Sequence, residues 1–191
     1  MSLKKILAGL EIDKRSGYSV VDVVRLLKAI YQKPAGRPSL VKRLGLGEAS
    51  LKTLIKNLRR QGFTEHSARG EMLTEMGREI CSRLNNKIPD TFGIRIPAIS
   101  KRPSVAVVVR NASKRVKMGI EQRDEAMKLG VSVTTLIFQE GKIKFPRTGE
   151  VFRFAGNIEE RLKEDDVLII ASGENEKKAE RGGIAAALTL I

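Results

Sequence analysis

The sequence predicts an α+β protein, in which a helical N-terminal domain with a short β-hairpin precedes a small α/β sheet domain. The first half repeats apolar residues every three to four positions, the spacing of helices that bury one face. The second half contains runs of β-branched residues, which are typical of buried strands. Between them, residues 85–103 hold three prolines and show little periodicity. We therefore predict domains at 1–88 and 104–191, joined by a linker at 89–103.

Two helices are predicted near the start of the first domain. Ser19 is a good N-cap for a helix whose apolar residues recur at helical spacing through residues 20–31. Residues 33–38 contain two prolines and a glycine, which cannot continue that helix. Ser39 can cap a short second helix, and Gly45 begins a tight connection to the next element.

A third helix with a basic outer face is predicted at residues 48–61. Its apolar stripe consists of Leu51, Leu54, Ile55 and Leu58. At about 100° per residue, the opposite face carries Ala49, Lys52, Thr53, Lys56, Asn57 and Arg60. No acid follows Glu48, whereas a merely solvated helix usually mixes charges of both signs. This pattern favours a surface that lies against something negative.

The charge of the whole chain supports the same interpretation. The formal net charge is +14, of which residues 1–90 contribute +9. Positive charge at this density attracts polyanions, because binding releases their counterions. The alternative is that the charge only aids solubility, and the geometry of the third helix argues against it.

A β-hairpin and a fourth helix complete the first domain. Residues 63–73 predict two short strands around a turn that contains Arg69 and Gly70. Thr74 can cap the helix that follows. Cys81 falls on the apolar stripe of that helix, so we expect a buried thiol rather than a reactive one.

Three helices, the third of them basic, followed by a hairpin resemble a winged helix-turn-helix. The segment "GEMLTEMGREI" is similar to the "LTEKGRELL" segment of MarR-like, ArsR-like and PadR-like regulators, and "LIKNLRRQGF" is similar to the end of their recognition helix. The resemblance covers about residues 18–86. It implies that the helix at 48–61 enters the major groove of double-stranded DNA, while the hairpin at 63–73 touches the backbone or the minor groove.

The resemblance and the basic face together indicate the candidate DNA contacts. Lysine and arginine can bind phosphates or guanine edges, and Asn57 is suited to adenine. The hairpin departs from the family pattern because it carries Glu65 and Glu71, which weaken its expected contribution. The candidates lie on the second helix, the third helix and the hairpin tip: Lys42, Arg43, Ser50, Lys52, Thr53, Lys56, Asn57, Arg60 and Arg69.

The second domain is predicted to alternate strands and helices. In order, we predict a strand at 104–110, a helix at 114–130, two strands within 133–146 around a turn at Glu140–Gly141, an extension of the sheet at 150–156, a short helix capped by Asn157, a strand at 165–173, and a C-terminal helix at 174–191 that is broken or bent at Gly182–Gly183. The "FGIRI" segment in the linker is a further candidate strand.

A candidate ligand pocket follows from where these strands end. Ligands of α/β sheets bind at the carboxyl ends of strands, and helix N-termini favour anions. The candidates follow the first and last strands or lie on the helix between them: Arg110, Asn111, Glu121, Arg123, Asp124, Gly173, Glu174 and Asn175. The alternative is that these residues are turns, helix caps and a solvated charged face.

The second domain also resembles a known domain. "GIEQRDEAMKLG", "TTLIFQEGKIKFP" and "GENEKKAERGGIAAALTL" are similar to an uncharacterised C-terminal domain that follows a winged helix in archaeal two-domain transcriptional regulators. The resemblance favours a regulator, but no site residues transfer from it.

No catalytic, metal or cofactor site is expected. Cys81 and His66 are the only residues of their kinds, so neither an intramolecular disulfide nor a zinc-ligand cluster is expected. Nucleotide-binding and nucleophile motifs are absent from the sequence. No run approaches the roughly 18 apolar residues of a membrane span, and no signal cleavage site follows the N-terminus. We therefore expect a cytoplasmic protein without membrane contact.

These observations favour one function over two alternatives. We expect a sequence-specific, non-enzymatic transcriptional regulator, whose second domain senses a small-molecule effector or mediates dimerisation. A homodimer is expected because a single winged helix contacts too few bases, and the apolar end at 184–191 is either the dimer surface or a final core helix. The alternatives are a metabolite-processing enzyme with an attached DNA-binding domain, and an RNA-binding protein. RNA modules usually stack bases on exposed aromatic side chains, which the third helix lacks.

Overall fold

The computed structural model of the protein describes residues 2–12, 16–154 and 156–191. The chain divides into two compact units, Met1–Asn85 and Asn86–Ile191. Within the predicted linker at 89–103, the strand expected in "FGIRI" is present at Thr91–Ile94 and belongs to the sheet of the second unit. The α+β class is confirmed, with helices and a hairpin in the first unit and an antiparallel sheet in the second.

The first unit combines helices with one β-hairpin. Its elements are α1 (Leu3–Ala8), α2 (Val20–Ile30), α3 (Arg37–Leu44), α4 (Glu48–Arg60), β1 (Thr64–Ser67), β2 (Gly70–Leu73) and α5 (Glu75–Lys87), the last of which runs into the second unit. The sequence pattern did not indicate α1, which is short and begins after Ser2.

Local signals explain where these helices begin. The backbone N–H of Ser19 donates to the Asp22 carboxylate over 2.9 Å, which confirms Ser19 as the cap of α2. Ser39 is not the cap of α3, because that helix already begins at Arg37 with Pro38 in its first turn. A proline is favoured there because its missing N–H would have no helical partner.

Close packing joins the hairpin to its neighbours. A Cβ on Gly77 in α5 would lie 2.0 Å from the Phe63 carbonyl oxygen, so only glycine allows this approach. On the other side, Ala35 pairs with Glu71 through two backbone hydrogen bonds of 3.0 and 2.9 Å. The loop between α2 and α3 therefore adds a single bridge to the outer edge of β2. Cys81 is buried among these elements, as expected.

The second unit is a five-stranded sheet in the order β3-β4-β7-β5-β6, in which every neighbouring pair is antiparallel. Its elements are β3 (Thr91–Ile94), β4 (Ser104–Val109), a 3₁₀ helix (Ser113–Arg115), α6 (Ile120–Met127), β5 (Ser132–Gln139), β6 (Lys142–Lys144), a second 3₁₀ helix (Ile158–Arg161), β7 (Val167–Ser172) and α7 (Glu176–Leu188). The helix expected at 114–130 is therefore shorter than predicted. Of the extension expected at 150–156, residue 155 lies outside the described residues, and the described part contributes one bridge, between Lys144 and Val151.

Both faces of this sheet are covered. On one face, α6 and α7 pack against Val107, Val109 and Ile169. On the other, Ala106, Val108 and Ile170 lie beneath loops that carry Phe145, Phe152 and Phe154. Adjacent rings of these phenylalanines meet edge to face, with centroid distances of 5.8 and 4.8 Å. Burial on both faces explains why β4 and β7 are unbroken apolar runs instead of alternating patterns.

The helix was expected to be broken or bent at Gly182–Gly183; a break is excluded, because α7 continues through both residues. A Cβ on Gly182 would lie 2.4 Å from the Val131 Cβ, and one on Gly183 would lie 2.8 Å from Val107 Cγ2. The two glycines therefore let the helix approach its neighbours closely. The segment at 184–191 is largely buried in the same core, as expected for a final core helix.

Candidate nucleic-acid interface

The orientation of α4 is fixed by the residues that it buries. Gly45 ends α3 in the left-handed conformation, with φ of 68°, and α4 begins three residues later at Glu48. Four side chains then point into the core: Leu51, Leu54, Ile55 and Leu58. Each contributes about 1.5–3 kcal/mol when fully buried, so rotation of α4 about its axis is strongly disfavoured. The opposite face is thereby held towards solvent.

The outer face of α4 is positively charged along its length. Lys52, Thr53 and Lys56 are exposed, as the periodicity predicted, and the Thr53 hydroxyl donates to the Ala49 carbonyl over 3.0 Å. With Arg60, the two lysines form a row at i, i+4 and i+8, which we call the basic face. The row covers about 12 Å along the helix axis, at 1.5 Å per residue.

One flank of the basic face is tied to the hairpin. Arg59 Nε donates to both carboxylate oxygens of Glu71, over 2.9 and 3.1 Å, and its Nη2 also donates to that carboxylate. The Glu71 side chain is 2% exposed and that of Arg59 is 42% exposed. Hydrogen bonding to Glu71 raises the pKa of Arg59. From the sequence, Glu71 was expected to weaken contact between the hairpin and DNA. Glu71 instead pairs with Arg59, and this pair braces the hairpin against α4.

The other flank is tied to residues near the N-terminus. Asn57 Nδ2 donates to Tyr18 Oη over 2.8 Å and to the Glu11 carbonyl oxygen. Its Oδ1 accepts from Arg60 Nη2 over 3.1 Å and from Gln61 Nε2 over 3.0 Å. The amide that was expected to bind adenine is thus fully engaged within the protein. Arg60 is also engaged, since its Nη2 lies 2.6 Å from Glu11 Oε2.

The remaining candidates differ in how free they are. Ser50 is half-buried, and a Cβ on Gly17 would lie 2.7 Å from its Oγ. Arg43 Nη1 donates to the Ala29 carbonyl over 2.9 Å, so it secures the end of α2. Arg69 is exposed in the two-residue turn of the hairpin. Within the described part of the chain, the candidates that make no ion pair or side-chain hydrogen bond include Lys42, Lys52, Lys56 and Arg69.

The predicted ligand residues of the second unit are not brought together. Because β4 and β7 are antiparallel, Val109 pairs with Val167 while Ser104 pairs with Ser172. Arg110 and Gly173 therefore lie at opposite ends of the sheet, roughly 20 Å apart at 3.3 Å per residue. The rule for parallel α/β sheets, in which the carboxyl ends of the strands meet at one edge, does not apply to this antiparallel sheet.

Each group of these residues instead has a local structural role. Arg110 pairs with Asp166, a buried carboxylate that also accepts from the backbone N–H of Asn111 over 3.1 Å. Asn175 caps α7 by accepting from the Lys178 N–H over 3.0 Å, and a hydrogen bond from Lys178 lowers the pKa of Glu174. On α6, all three candidates form surface ion pairs: Glu121 with Lys117, and Arg123 with Asp124. Glu174 and Asn175 also line an open cleft of about 1160 Å³ beside Arg95, Lys101 and Arg102.

Sequence reasoning missed two groups of residues at this interface. Glu11, Tyr18 and Gln61 contact the outer part of α4 from one side, and Arg59 pairs with Glu71 on the other. No local pattern marks these contacts, because Tyr18 is 39 residues from its partner Asn57 and Glu11 is 50 residues from its partner Gln61. Arg59 was visible only as one more positive charge.

A family model and a curated relative each match about half of the chain. The family model described as "Domain of unknown function (DUF4443)" matches residues 100–190, within the second unit. The chain is 29% identical over 93 residues to the central glycolytic genes regulator of Bacillus subtilis (strain 168); the match covers 49% of this chain and 26% of that protein. The chain thus spans about a quarter of that relative's length.

A solved structure extends the likeness over most of the chain. A hypothetical protein from Pyrococcus horikoshii OT3 superimposes with a TM-score of 0.77 at 28% identity, over 91% of this chain and 92% of the other. None of the helices described here is long and apolar enough to cross a membrane.

Proposed function

We propose that this protein is a sequence-specific DNA-binding transcriptional regulator that acts by binding and not by catalysis. The observation that carries the proposal is the basic face of α4, which is exposed, free of acidic residues within the helix after Glu48, and braced on both flanks. A helix of about 10–12 Å diameter fits the major groove, which is about 12 Å wide. Lys52 and Lys56 would then reach phosphates or guanine edges.

The elements beside α4 extend the proposed contact. Lys42 on α3 and Arg69 at the hairpin tip are exposed and unpaired within the described residues, so both are suited to backbone phosphates. Four such phosphate contacts per protomer, made by Lys42, Lys52, Lys56 and Arg69, predict that log K falls with log salt at a slope of about −3.6 for each protomer bound. This slope is a direct measure of how many of these cations reach the DNA.

The regulatory part of the proposal is supported by one relative and by the small number of bases that a single α4 can contact. The matched relative is named as a regulator of glycolytic genes. One α4 contacts too few bases for a specific site, so we propose a homodimer on a pseudo-palindromic sequence. The second unit would hold the dimer contacts or a small-molecule effector, and the whole would act in the cytoplasm. Because 184–191 lies largely in the core, we place the dimer surface elsewhere on the chain.

Fluorescence anisotropy tests the proposal directly. Wild-type protein is titrated with the DNA upstream of its own gene and with a shuffled duplex, at several salt concentrations. We expect the native duplex to bind roughly a hundredfold more tightly or better, and the Lys52→Ala/Lys56→Ala variant to lose most of that margin. The matched control is Lys114→Ala/Lys163→Ala, which removes the same charge from exposed positions of the second unit.

Two results would refute DNA recognition by α4. The first is equal binding of both duplexes with no effect of the Lys52→Ala/Lys56→Ala change. The second is tighter binding of single-stranded RNA than of either duplex at one salt concentration, which would favour the RNA-binding alternative.

A further inference from the structure

The segment at residues 2–12, which we call the N-terminal strap, folds back on the end of α4. Gln61 Nε2 donates to the Glu11 carbonyl over 3.3 Å, and the Glu11 N–H donates to Gln61 Oε1 over 3.3 Å. Asn57 donates to the same Glu11 carbonyl, and the Glu11 carboxylate pairs with Arg60 over 2.6 Å. Every one of these partners is on α4 or immediately follows it.

The strap lies on one flank of α4 and crosses onto the basic face at one point. Asn57 and Gln61 are four residues apart and therefore share that flank. Tyr18 is buried beside them and accepts from Asn57. Within residues 2–12, the Glu11 side chain is the one that reaches across to Arg60, the last member of the basic face. An open cleft of about 390 Å³ lies between the strap and α4, and Lys56 is among the residues that line it.

The contacts that hold the strap are weak. The side chains of the Glu11–Arg60 pair are 71% and 66% exposed, so water competes for both charges. Within α1, only Leu3 is buried, and this six-residue helix is too short to be stable by itself. The strap is therefore attached by exposed polar bonds, by buried Leu3 and by half-buried apolar side chains, and the exposed Glu11–Arg60 pair is the contact that a phosphate can displace.

We infer that the strap is an autoinhibitory contact, in which the Glu11 carboxylate occupies Arg60 in place of a DNA phosphate. A phosphate and Glu11 cannot both hold the outer nitrogens of Arg60, and a carboxylate on the basic face repels the DNA backbone. DNA binding at Arg60 therefore requires the Glu11–Arg60 ion pair to open, while the bonds from the backbone of Glu11 to Asn57 and Gln61 can persist. The inference depends on the proposed DNA binding, and it adds a fifth cation to the four that are free in the unbound protein.

The test is Glu11→Gln, measured by anisotropy on the duplex that binds wild-type protein most tightly. Glutamine keeps the backbone hydrogen bonds of residue 11 but removes the charge. We expect duplex affinity to rise about two- to fivefold, the range of an exposed ion pair. The matched control is Glu79→Gln, since Glu79 is also 71% exposed and pairs with an arginine, but lies on α5. It should leave the affinity unchanged.

The same Glu11→Gln change made in Arg60→Ala protein distinguishes the release of Arg60 from a general loss of negative charge. In Arg60→Ala protein, the Glu11→Gln change should give no gain, because the side chain it frees is gone. Circular dichroism of each variant verifies that the fold is kept.

Three outcomes contradict the inference. Equal effects of Glu11→Gln and Glu79→Gln, or a gain that persists in the Arg60→Ala background, would show that Glu11 acts only through overall charge. If Glu11→Gln leaves the affinity unchanged while wild-type protein binds the duplex, the autoinhibitory role of the strap is refuted and the proposed DNA binding stands. Failure of every variant to bind the duplex would refute the proposed function, and the inference with it.

Discussion

Replacing Arg59 by alanine should destabilise the first unit more than replacing its neighbour Arg60. In Arg59→Ala, the Glu71 carboxylate, 2% exposed, would lose its partner. Breaking a fully buried pair costs about 3–5 kcal/mol. Arg59 itself is 42% exposed, so water partly screens the pair, and we discount the cost to about 2 kcal/mol. In a unit of this size that lowers Tm by roughly 8–16 °C.

The assay is thermal unfolding followed by circular dichroism, with Arg60→Ala as the matched control. The Arg60–Glu11 pair is exposed on both sides, so its loss should cost less than about 1 kcal/mol. Replacing both braced residues, as Arg59→Met/Glu71→Met, should recover most of the loss, since no carboxylate is then left buried and unpaired. The reasoning is wrong if Arg59→Ala costs no more than Arg60→Ala, or if the double variant is worse than the single one.

Three further changes test other features of the chain. Gly182→Ala should destabilise the second unit by about 1–3 kcal/mol in urea unfolding, because its Cβ would clash with Val131; a gain of about 1 kcal/mol, as for an ordinary helical glycine, would contradict this. Burial raises the pKa of Cys81 to about 11, so its reaction with a disulfide reagent at pH 8 should be at least roughly a hundredfold slower than in the unfolded chain, and equal rates would disprove burial. Hydrogen bonds from Ser113 and Gln139 lower the pKa of Asp165, so their stabilisation is present at neutral pH and is lost as pH falls through that lowered pKa. The Tm of Ser113→Ala should therefore lie below that of wild type at pH 7 and approach it in acid, whereas a constant difference would exclude the linkage.

The sequence predicted α4 closely because several signals agree there. The apolar stripe, the acid at Glu48 and the glycine at position 62 all favour a helix at 48–61, and the structure has Glu48–Arg60. The strands β4 and β7 were equally clear, since a buried β-branched run has few other structures available.

What the sequence could not supply was the direction in which strands pair. An apolar run buried on both faces is typical of parallel sheets, but the loops over one face of this sheet bury antiparallel strands just as completely. The expected ligand residues were grouped on the assumption that the strands end at one shared edge. Because β4 and β7 are antiparallel, Arg110 and Gly173 lie at opposite ends of the sheet instead.

The contacts of Asn57 were hidden for a different reason. Helical periodicity places Asn57 beside Lys56 on the outer side of α4, but periodicity carries no information about a distant segment that folds over it. Glu11 is such a partner, and the six-residue α1 that precedes it lacks a pattern strong enough to be predicted.

The single bridge between Ala35 and Glu71 also bears on how the protein behaves at high concentration. A hairpin strand with unpaired N–H and C=O groups can recruit a strand from another molecule and start aggregation. Here the proline-containing loop already occupies part of the outer edge of β2. The other edge, β1, is only four residues long and carries the exposed charge of Glu65. A hairpin that must remain exposed is thereby a poor template for growing fibrils.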